Sequence, residues 1–262
     1  MDLRLDGQHA LVCGSTQGIG LAAAQELALL GARVTLLARK ADGLTKALTT
    51  LDRSTGQQHM FLAVDMSDTP GLQRAVEAHV QAQGPITVLI NNTGGPPPGL
   101  AHEASTAAFE SAFRLHLLAF QTLVLALLPG MKEAGRGRII NVISTSVKVP
   151  LHGLGVSNTI RGAVANWSKT LANELGRYNI TVNNVLPGAT ETERLGAILK
   201  GKAEKGGVTI DAAAQEMKNE VPMRRFAQPG EVANAIAFLA SPAAGYITGI
   251  NLPVDGGRTG SL

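Results

Sequence analysis

Gly14, Gly18 and Gly20 stand where a short apolar run, Ala10-Leu11-Val12-Cys13, gives way to Leu21-Ala22-Ala23-Ala24-Gln25-Glu26-Leu27, a helical pattern. A strand that turns through glycines into a helix leaves the first N–H groups of that helix unpaired, and an anion is their natural partner. Gly14 lets the chain bend sharply, while Gly18 and Gly20 remove Cβ atoms that would hold a phosphate away. The spacing, G-x-x-x-G-x-G, is neither G-x-G-x-x-G nor a Walker loop. Arg39 follows the next apolar run, Arg33-Val34-Thr35-Leu36-Leu37, where the adenosine ribose of a dinucleotide would fall. No acidic residue stands there to grip a bare 2′-hydroxyl, so a 2′-phosphate suits the position better; the alternative is a solvated surface arginine. Asp65 fits a helix cap, a turn former or an adenine neighbour. Ser144 closes the apolar run 138–143, and faces substrate if that run is a strand of a parallel sheet.

These residues need a frame, and the apolar periodicity supplies one. Runs at 10–13, 33–37, 60–64, 86–90, 138–143, 180–185 and 247–254 read as strands. Between them come helical stretches at about 42–55, from Thr69-Pro70, from about Ser105 to Lys132, at about 153–177 and from near Glu231. Alternation of this kind predicts an α/β fold, a single-domain, Rossmann-type doubly wound parallel sheet of about seven strands with helices on both faces and ligands at the strands' carboxyl ends. The chain has 262 residues, enough for one sizeable core, so one domain is expected over 1–262. The loop Asn91-Asn92-Thr93-Gly94-Gly95-Pro96-Pro97-Pro98-Gly99 reads as a rigid wall beside a bound ring or as a connector. Segment 189–222 carries Thr190-Glu191-Thr192-Glu193-Arg194, Gly201, Gly206-Gly207 and Pro222, punctuation that suits a lid over the substrate.

Composition narrows the function class. With a net charge of +3, 3% aromatic residues and no Lys/Arg run longer than two, there is neither a phosphate-tracking stripe nor a stacking platform, so nucleic acid is not an expected partner. Nothing reads as an export signal or membrane segment, and no metal site is expected. The single cysteine, Cys13, lies in a buried strand and reads as an inert core thiol, which points to a reducing, cytoplasmic setting.

Cys13-Gly14-Ser15-Thr16-Gln17-Gly18-Ile19-Gly20, Asn91-Asn92-Thr93-Gly94, Gly137-Arg138-Ile139-Ile140-Asn141-Val142-Ile143-Ser144, Asn183-Asn184-Val185-Leu186-Pro187-Gly188, Tyr246-Ile247-Thr248-Gly249 and Val254-Asp255-Gly256-Gly257 together resemble the short-chain dehydrogenase/reductase family over essentially the whole chain. The resemblance implies a nicotinamide cofactor, NADP(H) by preference with NAD(H) as the second option, transfer to or from a carbonyl/alcohol carbon of a small molecule, and a homotetramer. It places the cofactor against Gly14, Ser15, Gly18, Ile19, Gly20, Arg39, Asp65, Asn92, Arg161, Pro187, Gly188 and Thr192.

The family's Asn-Ser-Tyr-Lys set is where the chain departs. Ser144 falls on the serine position, but the tyrosine position is Ser157, the lysine position is Arg161 and the asparagine position is His116. A serine hydroxyl is far less acidic than a phenol and too short to reach where one would. Ser157 and Arg161 are four apart, hence on one helical face, and a guanidinium keeps the lysine's ribose-holding task while losing its power to shift a phenol. Positioned acid–base catalysis is worth about 10²–10⁴-fold, whereas orientation alone supplies about 7–11 kcal/mol, so an aligned site can still turn over. Lys148, His152 and His116 are the replacement donors within reach. Two readings follow: an oxidoreductase with an altered proton donor, or a catalytically silent dinucleotide-binding relative acting as sensor or partner subunit.

Overall fold

In the computed structural model, which describes residues 1–261, seven strands form one sheet in the order β3-β2-β1-β4-β5-β6-β7, every neighbouring pair parallel. The strands are β1 (His9–Cys13), β2 (Arg33–Ala38), β3 (Met60–Ala63), β4 (Val88–Asn91), β5 (Gly137–Val142), β6 (Ile180–Pro187) and β7 (Asn251–Val254). The helices are α1 (Gly18–Leu29), α2 (Ala41–Leu48), α3 (Thr69–Gln83), α4 (Thr106–Phe113), α5 (Ala119–Glu133), α6 (Gly155–Leu175), α7 (Glu193–Gly206), α8 (Ile210–Asn219) and α9 (Pro229–Ala240). The order reverses between β1 and β4, and the crevice at that switch point is where such sheets take ligands.

Two apolar layers hold the sheet. Alternate side chains of a strand point to opposite faces, so Ala10 and Val12 join Ala24, Leu27, Leu44, Val232 and Ile236 under α1, α2 and α9, while Leu11 and Cys13 join Leu72, Val76, Phe120, Leu123 and Val164 under α3, α5 and α6. The Cys13 thiol is completely buried, and burial pushes its pKa up to about 12, as an inert core thiol requires.

The larger departures from the sequence-based limits have local reasons. The helix expected over 42–55 stops at Leu48, because the Thr49 and Thr50 hydroxyls bond back to the carbonyls of Lys46 and Ala47 and Gly56 adopts φ +81°. The last strand starts at Asn251 rather than Ile247; before it Gly249 sits at φ +74°, and side-chain bonds add to the backbone ones that join this segment to β6, the Val182 N–H donating to the Thr248 hydroxyl and Asn183 Nδ2 to the Ile247 carbonyl. Segment 189–222 contains two ordered helices, α7 and α8, capped by Thr192 and Thr209. The stretch from about Ser105 to Lys132, a long helix or a helix pair by its pattern, is the pair α4 and α5 joined through a π-helical turn, Arg114–Leu118, centred on His116; such turns cost regular hydrogen bonding and concentrate at functional sites. The run Thr106–Glu133 is long and apolar enough by composition to cross a membrane, but Phe120, Leu123, Leu127 and Met131 on it are core residues beneath the sheet.

Candidate active site

The glycine turn is built as an anion cradle. Gly14 takes φ +59° and Gly18 φ +56°, and Gln17, at the N-cap of α1, makes no side-chain hydrogen bond to the helix. Asp68, Ser105, Thr192 and Thr209 cap α3, α4, α7 and α8, while α2 and α6 share with α1 an N-terminus without a side-chain cap. An uncapped helix N-terminus at the carboxyl edge of the sheet leaves donors for a phosphate. Gly20 corrects one expectation: a Cβ there would press into the Gly14 carbonyl oxygen, so its glycine lets helix and turn close on each other rather than clearing a path for ligand. The buried Ser15 hydroxyl accepts from the Leu37 N–H at 3.0 Å and ties the turn to β2. Asn92 braces the turn from β4, its Nδ2 donating to the Cys13 and Gly14 carbonyls at 3.3 Å each.

Arg39 is exposed at the carboxyl end of β2. Of the three roles open to Asp65, the geometry shows the turn former: its Oδ1 accepts from the Ser67 N–H and hydroxyl at 2.8 and 2.7 Å, and these bonds hold its carboxyl below the usual range. The cap of α3 is Asp68. Gly188 donates its N–H to Val254, and a Cβ on it would press on Asp255 at 2.8 Å, so the end of β6 beyond Pro187 closes against β7.

Across the switch point lies the polar cluster. Arg161, buried on α6, donates from Nη1 to the Val142 carbonyl at 2.8 Å; burial first, then the nearby Arg194 charge, lowers its pKa to about 10, so it remains a cation at neutral pH. His116 is 1% exposed, with Nδ1 2.5 Å from Thr93 Oγ1 and Nε2 without a hydrogen-bond partner among the described residues. Burial, then Arg161 and Arg194, lower its pKa to about 3. His116 is therefore a neutral imidazole across the physiological range, which removes the expected advantage of its intrinsic pKa for proton donation. Ser144 caps the turn Thr145–Val147, accepting from the Ser146 N–H at 3.1 Å, and Ser157 is buried one turn before Arg161. His152 is exposed in the loop before α6, and Lys148 is half-buried at the end of the Ser144 turn.

His116 also lines a cavity of about 600 Å³, walled by Gly95, Pro96, Pro97, Pro98, Gly99, Leu100, Glu103, Ala104, Ala108, Ser111, Ala112, Leu115 and Val156. The proline loop is thus a wall. Gly99 pairs with the loop before α6 through Gly99 N–H to Gly153 and Gly155 N–H to Gly99, at 2.7 and 2.9 Å.

A family profile described as Enoyl-(Acyl carrier protein) reductase matches residues 14–259. The chain belongs to the short-chain dehydrogenase/reductase family. Its relatives include the D-threitol dehydrogenase of Mycolicibacterium smegmatis, 34% identical over 98% of this chain and 95% of that protein. Solved structures similar to it include the L-sorbose reductase of Gluconobacter frateurii complexed with NADPH and L-sorbose, 34% identical with a TM-score of 0.94 over the full length of both chains. An actinorhodin polyketide ketoreductase variant with NADPH superposes with a TM-score of 0.91 at 33% identity, covering 97% of this chain and 98% of its own.

Two residues of the cluster carry no signal in the local sequence. Thr93 lies inside the Asn91–Gly99 loop, and its partner His116 is 23 positions away. Arg194, read only as part of a mixed-charge run, reaches from α7 to the Gly95 and Pro96 carbonyls at 2.9 and 3.4 Å, its guanidinium lying where a Gly95 Cβ would be. The nearby Thr192 methyl lies 3.1 Å from where a Gly18 Cβ would be.

Proposed function

We propose that this family member is an NADP(H)-dependent oxidoreductase acting on a small-molecule carbonyl/alcohol pair through a site in which Ser157 and Arg161 stand for the family's tyrosine and lysine. The observation that carries the reading is the uncapped N-terminus of α1 at the same sheet edge as His116, Ser144 and Arg161. The residues fit the cofactor. The backbone of Gly14, Ser15, Gly18, Ile19 and Gly20 would meet its pyrophosphate, Arg39 its 2′-phosphate beside the Asp65 turn, and Asn92, Arg161, Pro187, Gly188 and Thr192 its nicotinamide half. When bound, NADP(H) supplies or accepts the two electrons of the reaction. The chain's own residues handle the substrate oxygen: Ser144, Ser157 and the neutral His116 offer hydrogen bonds, and the Arg161 guanidinium stabilises negative charge developing there. No phenol is present to give the proton, so it comes from solvent or from Lys148, while exposed His152 is not needed. Segment 189–222, with α7 and α8, is the lid over one domain spanning 1–262. Exposed Phe113 on α4, Leu118 in the π-helical turn and Leu125 on α5 support assembly into a homotetramer, and the lone reduced Cys13 supports a cytoplasmic setting.

A panel of carbonyl compounds followed by NADPH absorbance tests this. The expected result is turnover that falls about 10²-fold in Ser144→Ala. Tight NADPH binding with silence across the panel favours the second reading, a dinucleotide-binding sensor or partner subunit, which the missing phenol keeps open. An unmoved melting temperature with both coenzymes overturns both.

A further inference from the structure

The cavity beside His116 differs in character from the polar cluster it adjoins. Its walls are Pro97, Ala108, Ala112, Leu115 and Val156 with their neighbours, and Ala112 and Val156 belong to a small apolar cluster with Ile160. Two further polar side chains line it, Glu103 and Ser111, and both are exposed at the rim, with Glu103 facing His102 at 3.8 Å. Inside, His116 alone is polar and buried, and its Nε2 has no partner among the described residues. About 600 Å³ is room for a body well beyond a three- or four-carbon unit.

We infer that the substrate is an apolar ketone or its alcohol, an alicyclic or alkyl-substituted carbonyl compound whose hydrocarbon body fills the Pro97–Ala108–Val156 cavity and whose oxygen lies toward His116, and that polyols and sugars are poor substrates. The inference rests on the oxidoreductase reading above. A bare hydrocarbon body exchanges water for the proline, alanine and valine walls and leaves no polar group unmet. A ketose would bring several hydroxyls into a space with one buried polar side chain to answer them, and each unmet hydroxyl costs affinity. The small Ala108 and Ala112 on α4 are what keep the space open, so they set the size limit, and the proline loop, pinned at Gly99 to the α6 approach, gives that limit a stiff far wall.

The test compares cyclohexanone, 4-methylcyclohexanone and 4-propylcyclohexanone with a ketohexose, using the full chain and two readouts: NADPH oxidation, and the rise in melting temperature that each carbonyl compound adds to the NADP-bound protein. Expected is a kcat/KM that climbs about fourfold per added methylene until the cavity is full, a parallel rise in melting temperature, and a ketohexose at least about 100-fold poorer than the propyl ketone. Ala108→Trp should flatten the series in both readouts while NADPH alone still raises the melting temperature as in the parent; Ala104→Phe, on the same wall, repeats the test if the tryptophan variant does not fold. A series that is flat or falls with chain length, a ketohexose that matches the propyl ketone, or a slope unchanged in the wall variants overturns the substrate assignment with the oxidoreductase reading intact. Loss of the NADPH-induced melting shift in the parent protein overturns that reading itself.

Discussion

At the scale of single residues, His116 and Arg161 decide how the site responds to pH. His116 stays neutral down to about pH 3 and Arg161 stays charged up to about pH 10, the first because imidazolium would be buried beside two guanidiniums, the second because even a desolvated guanidinium holds its proton strongly. Neither group changes charge in the range where a phenol paired with an ammonium would titrate. The expected kcat/KM profile is therefore flat from about pH 5 to about pH 9, followed in steady-state assays across overlapping buffers. His116→Phe, which deletes the unpartnered nitrogen but keeps the ring volume, should lower kcat about 10²-fold without bending the profile.

Among elements, two devices hold the site. A buried row of polar side chains crosses the sheet behind it: Asn91 donates to Asn141 at 2.8 Å, Asn141 to Ser168 at 2.8 Å and to Asn184 at 3.1 Å, and Asn184 to Asn251 at 2.8 Å. Each link joins neighbouring strands or a strand to α6, so the row, running from the last residue of β4 to the first of β7, ties these four strands together in register. The second device is the strap at the start of α7. Thr192 rests on the Gly18 turn and Arg194 on the Gly95–Pro96 wall, so the start of α7 is pinned on both sides of the crevice. Cutting one pin should free it: Arg194→Ala is expected to raise the NADPH dissociation rate several-fold and to speed amide exchange over 190–200, with the melting temperature of the unliganded protein nearly unchanged because the pair is exposed. Stopped-flow fluorescence and hydrogen–deuterium exchange read these outcomes. An unaltered dissociation rate would show that the strap does not gate the crevice.

For the whole molecule, the histidines set acid stability. His9, His59, His79 and His116 all have their pKa lowered, each mainly by burial, His9 and His116 to about 3. His9 lies between Arg33 Nη2 and Thr35 Oγ1, each at 2.8 Å, and Thr35 continues to His79 at 2.9 Å, so a proton there would face a guanidinium inside the β1–β2–α3 packing. Below about pH 6.5 the unfolded chain binds these protons and the folded chain refuses them. Stability is complete above that pH and falls as the pH drops towards about 3, by about 1.4 kcal/mol per pH unit for each of His9 and His116. Urea midpoints at pH 7.5 and pH 5 should differ accordingly, and His9→Gln should reduce the difference. Equal midpoints would mean that these imidazoles titrate normally in the fold.

The strand and helix alternation, the glycine turn and the family were determined by the sequence alone, because they depend on local periodicity, on backbone freedom at Gly14 and Gly18, and on residue types at fixed spacing. What those residues touch was decided only by the tertiary structure. Gly20 meets the Gly14 carbonyl, the Ser15 hydroxyl turns to Leu37, Thr93 meets His116, and Arg194 crosses to Gly95 from 99 positions away. His116 shows why: its proton affinity is set by burial and by two guanidiniums that reach it from α6 and α7, and no stretch of sequence around position 116 contains either.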